Sequence, residues 1–152
     1  MNLADGKWFN EFPCPLYDTG KKVPGFPPWR KRTLYEYRAN DDAPMTFHIQ
    51  PDIYIRPDRH GFTDMGSVPE FIQLIIPKDL HNPSFVLHDS GCREHGLYFS
   101  KRYEGPYTFS PMSSRALAKL LGQGLYAAGY TIRARHVYRA VRRFGPQFDV
   151  GG

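Results

Sequence analysis

The chain has 152 residues, of which 41% are hydrophobic and 23% charged, with a formal net charge of +5 at pH 7. That length suits one domain with a single core, and that composition excludes a disordered chain and a disulfide-built scaffold, since only Cys14 and Cys92 are present. No run reaches the roughly eighteen apolar residues of a membrane span, so no membrane span is expected. Residues 1–6 lack the apolar core of a secretory signal. Synthesis in the cytoplasm with reduced thiols is expected, and the basic balance favours acidic partners.

Fourteen Pro, fourteen Gly and 15% aromatic residues point to many turns and short strands with limited helix. Residues 1–32 hold Trp8-Phe9, Pro13-Cys14-Pro15, Gly25-Phe26-Pro27-Pro28-Trp29 and the basic run Arg30-Lys31-Arg32. Proline removes donors and fixes φ, so this stretch reads as an extended arm, with Trp8 and Trp29 as rings that anchor it to its own domain or to a neighbouring subunit. Residues 33–152 form the second unit, a single α+β domain.

Within it, residues 33–38, 45–49 and 52–56 alternate apolar or aromatic with polar side chains at period two, as half-buried antiparallel strands do. Residues 71–76, bounded by Pro69 and Pro77, suit either a buried strand or a buried helical turn. After Pro111, Ser113 or Ser114 can cap a helix on which Leu117, Leu120, Leu121, Leu125 and Ala128 recur, and Gly129 can end it. Thr131 can cap a second helix with Val137, Ala140, Val141 and Phe144 on one face, stopped by Gly145-Pro146. The expected architecture is a small antiparallel sheet with C-terminal helices packed on it and an extended N-terminal arm.

Two short segments set titratable groups among apolar ones: Gly61-Phe62-Thr63-Asp64-Met65-Gly66-Ser67-Val68-Pro69 and Phe85-Val86-Leu87-His88-Asp89. As an acid-base cluster, Asp64, Ser67, His88 and Asp89 would use His88 as general base toward water or Ser67. As a fold-holding network, Asp64 and Ser67 would bond their own turn, with His88 bracing it. On a helix, His88, Cys92 and His95 would share one face and could hold a divalent metal such as zinc; otherwise no cofactor is expected. On the last helix Arg135, Arg139 and Arg142 align, joined by Arg133, His136 and Arg143, which suits an acidic protein face or contact with nucleic-acid backbone without sequence preference.

Together with Val137-Tyr138-Arg139-Ala140-Val141-Arg142-Arg143-Phe144-Gly145, these two segments resemble the DUF1353 family, small proteins of unknown function found mainly in tailed phages and prophages. The resemblance runs over residues 56–145. It departs where Gly66 replaces the usual Ala, where Ser90-Gly91-Cys92 follows His-Asp, and where Ala118 stands at a position that tends to be Asp. The resemblance implies a phage gene; with the aromatic arm and the basic last helix, the expected role is that of a virion-associated structural or accessory protein that binds other phage proteins in an oligomeric assembly. The alternative is a small hydrolase, with or without a metal, acting on cell-envelope or other host material.

Overall fold

A computed structural model describes residues 3–9, 16–24, 29, 31–38, 44–63, 82–145 and 147–150. Five antiparallel strands form the larger sheet in the order β1 (Gly6–Phe9), β4 (Thr46–Ile49), β5 (Ile53–Arg56), β7 (Gly96–Ser100), β8 (Thr108–Pro111). A second antiparallel sheet has the order β2 (Leu16–Pro24), β3 (Lys31–Arg38), β6 (His60–Thr63). Three helices complete the described fold: α1 (Asn82–Glu94), α2 (Ser114–Ala127) and α3 (Thr131–Phe144). The protein is therefore α+β, with its C-terminal helices on the sheet.

Register determines which side chains share a face, because directly paired residues of antiparallel strands project to the same side. Trp8, Phe47, Ile55 and Phe99 follow one another across β1, β4, β5 and β7. Phe47, Ile55 and Leu97 pack against Leu87 of α1 and Leu117 and Leu120 of α2, with Trp8 and Phe99 at the border. The opposite face carries Lys7, His48 and Tyr54 in one row and Arg56, Tyr98 and Phe109 in another. This outer face is polar and aromatic rather than aliphatic.

Helix α2 is central. One side meets the sheet and α1, while the other packs through Ala118, Leu121 and Leu125 on Leu3 and on Ala134, Val137, Tyr138 and Val141 of α3. Ala118 is fully buried there, so an Asp at this position would lose its hydration inside an apolar cluster. Glycines let α1 and α2 approach closely: a Cβ at Gly91 would meet Leu117, and one at Gly124 would lie 2.7 Å from Ser84 Oγ. The carbonyl of Gly124 accepts a 2.9 Å hydrogen bond from Trp8 Nε1.

The helix ends follow the capping pattern with one exception. Ser113 Oγ accepts from the Ala116 amide at 3.2 Å, Gly129 turns the chain with φ +99°, and Gly145 ends α3 with its amide on the Val141 carbonyl. Thr131 is not the cap of α3 but its first residue; Tyr130 precedes it and makes no side-chain cap bond. Ser114 Oγ donates to the Phe148 carbonyl at 3.1 Å and accepts the Phe148 amide at 3.0 Å, which docks the final described segment on α2.

Two expectations change. Residues 1–32, read as an arm, supply β1 to the larger sheet and β2 to the smaller one, and the expected boundary at 32/33 falls inside β3. Extended aromatic sequence satisfies its backbone most readily by joining a sheet edge. Helix is also more abundant than the Pro and Gly content suggested, because those residues concentrate outside α2 and α3. Among the described residues, no helix is long and apolar enough to cross a membrane.

Candidate functional site

Helix α1 opens with Pro83 in its first turn, where a missing N–H costs nothing, and buries Phe85, Val86 and Leu87 against both neighbours. His88 follows, only 2% exposed. One turn later Cys92 Sγ lies 3.5 Å from His88 Nε2, while Asp89 Oδ1 lies 3.8 Å from Nδ1. Helical geometry accounts for this arrangement: i and i+4 stack, whereas i and i+1 diverge and meet only at long range.

Burial alone would push the His88 imidazole down. The Asp89 carboxylate and the Cys92 sulfur override it and raise the pKa to about 9. At neutral pH this side chain is an imidazolium, a donor to its neighbours. To act as a general base or a metal ligand it would first have to release the proton that the Asp89 carboxylate and the Cys92 sulfur help to hold. The contacts described make a charge-assisted clasp along α1.

Of the other expected site residues, Asp64 and Ser67 lie outside the described residues, as do Cys14 and residues 71–76. His95 does not continue the face of His88 and Cys92. It stands just past the end of α1 with φ 58°, and its ring stacks on Phe148 at 4.0 Å between centroids. No group of three or more His, Cys, Asp or Glu side chains converges to hold a metal among the described residues. Trp8 is half-buried on Phe47, with ring centroids 4.8 Å apart, so it anchors β1 to this protein's own core. Trp29 is 79% exposed. Arg135, Arg139 and Arg142 all face outward, with Arg142 Nη1 donating to Tyr138 Oη at 3.2 Å.

A second polar centre escaped the sequence reading. Arg93 Nη2, near the end of α1, donates to Tyr37 Oη of β3 at 3.1 Å and to Asp58 Oδ2 of the β5–β6 connection at 3.4 Å. Ser90 Oγ, one turn earlier, accepts the Asp58 amide at 2.9 Å. Burial pushes the phenol of Tyr37 up, which keeps it a neutral partner for the guanidinium. These bonds tie α1 to the smaller sheet and to a loop of the larger one. No local spacing announces them; the only signals were an Arg and a Ser on the buried helix.

Gly61 of β6 makes room for that guanidinium, since a Cβ there would meet Arg93 Nη2 and come within 2.8 Å of its Cζ. Gly61→Ala is therefore expected to displace Arg93 from Tyr37 and to cost about 1–2 kcal/mol in urea unfolding. An unchanged midpoint would show that Arg93 does not join the two sheets. No family model, curated protein or solved structure matches this chain.

Proposed function

We propose that this chain is a phage-encoded, virion-associated structural or accessory protein that binds other phage proteins, with the His88–Asp89–Cys92 cluster holding the fold. The observation that carries the reading is the outward face of α3. Arg133, Arg135, His136, Arg139, Arg142 and Arg143 are exposed on it, no acidic residue accompanies them on the helix, and Ile132 and Phe144 stand 73% and 46% exposed at its two ends. Cations between apolar anchors suit an acidic protein surface with hydrophobic contacts at its rim. The burial of His88 favours this reading over a hydrolase, which needs access for water or substrate to its imidazole.

The test is mass spectrometry of purified, nuclease-treated particles from the host strain that encodes the chain. The expected result is the protein at a constant ratio to the major capsid protein. Its absence from particles that are otherwise complete would overturn the proposal.

A further inference from the structure

On the outer face of the larger sheet lies a cavity of about 640 Å³, whose walls include Met45, Arg56, Pro57, Arg59, Tyr98 and Tyr107. Arg56 is anchored from several sides. Its Nε donates to Thr46 Oγ1 at 2.9 Å, its Nη2 donates to the Tyr103 carbonyl at 3.0 Å, and its guanidinium lies over the Tyr107 ring at 4.0 Å. Thr46 is fully buried and donates in turn to the Pro44 carbonyl at 2.9 Å. The Tyr107 hydroxyl donates to the Tyr103 carbonyl at 2.9 Å.

Those two bonds leave N–H groups of the guanidinium unused, and no carboxylate among the described residues pairs with it. Asp58 also lines the cavity, but its carboxylate accepts from Arg93. His60 is bonded to Glu36 Oε2 at 3.1 Å. Arg59 stands exposed at the cavity wall. Burial, then the Asp58 carboxylate, pushes the Tyr98 phenol up, and burial pushes Tyr107 up, so neither ring adds negative charge.

We propose that this cavity binds a nucleotide, its phosphate monoester on Arg56 and Arg59 and its base against the aromatic wall formed by Tyr98 and Tyr107. A planar guanidinium held by other bonds is pre-organised for the oxygens of a phosphate. Tyrosine rings offer faces and edges to any base, and Met45 and Pro57 extend the apolar wall. The volume falls within the roughly 300–1,000 Å³ of small-molecule sites and far exceeds what inorganic phosphate would fill. A free mononucleotide and the phosphorylated end of a single strand share this chemistry. The site is separate from the outward face of α3 and does not depend on the role proposed for it.

Calorimetric titration of the full chain with adenosine monophosphate, adenosine, inorganic phosphate and a 5′-phosphorylated oligothymidylate tests the proposal. Adenosine monophosphate is expected to bind with a Kd below about 1 mM, with adenosine and phosphate each weaker by about tenfold or more. Arg59→Ala should weaken it about fivefold, and Arg56→Lys, which keeps the charge but not the fork, about tenfold. The ring NMR signals of Tyr98 and Tyr107 should shift on addition of adenosine monophosphate. Displacement of the mononucleotide by lower concentrations of the oligonucleotide would identify a strand end as the source, and the reverse order a free nucleotide; both support the site. Absence of binding at about 1 mM, equal affinity for adenosine, or unchanged affinity in both Arg variants would overturn it. Should Arg56→Lys fail to fold, Arg59→Ala and the ring signals decide.

Discussion

Phe47→Ala is expected to lower stability by about 3–5 kcal/mol and the melting temperature by about 10 °C. The ring is fully buried between Trp8 and Ile55 at the centre of the sheet's inner face. The size of the loss depends on whether neighbours can fill the space left behind. Here they are held. The Trp8 indole, 4.8 Å from the Phe47 centroid, is fixed by its bond to the Gly124 carbonyl, and Gly6 opposite has no side chain to move in. Urea unfolding measures the loss. A value under about 1 kcal/mol would mean that β1 and β4 do not seal the core in this way.

A second large effect follows from His88 and depends on pH. Its pKa in the folded chain is about 9, against an ordinary value near 6.5. The folded state therefore binds the proton more tightly than the unfolded state. Stability from this group is present in full below about pH 6.5 and is lost as pH rises through about 9, with linkage giving about 3 kcal/mol across that window. Equilibrium unfolding at several pH values should show this decline in the parent chain. In His88→Gln it should vanish, with a loss of about 1–3 kcal/mol at low pH, where the parent has its clasp intact. The raised phenols of Tyr37, Tyr98 and Tyr107 act only above their ordinary range near 10, so they leave this window undisturbed. A parent protein whose stability is flat from pH 6.5 to 9 would contradict the clasp.

What the sequence made legible was local. The leucine spacing after Ser113, the serine cap and the glycine at 129 describe α2 because each acts within a turn or two of itself. The alternation over residues 45–49 and 52–56 describes β4 and β5 for the same reason. Helix α1 was less legible: it is buried on nearly every side over residues 83–91, so it has no polar face to give a period, and its Gly91 serves α2 rather than α1. The His88–Cys92 contact was visible as i, i+4 spacing, whereas His95 was misplaced because the helix stops one residue before it. Arg93 could not be found this way. Its partners lie 56 and 35 residues upstream, and only the packing of the two sheets brings them within reach.

The bond from Trp8 to Gly124 spans 116 residues and gives the protein an order of assembly. While the chain is being synthesised, β1 can pair with β4 early, but its indole has no acceptor and its inner face no cover until α2 has been made. The ribosome thus releases a strand with an exposed aromatic face long before its partner arrives. Closure of the sheet's inner face therefore depends on a contact of large sequence separation, the kind that loop-closure entropy places late in folding, and until it forms β1 keeps an aromatic face that other sheet edges could pair with.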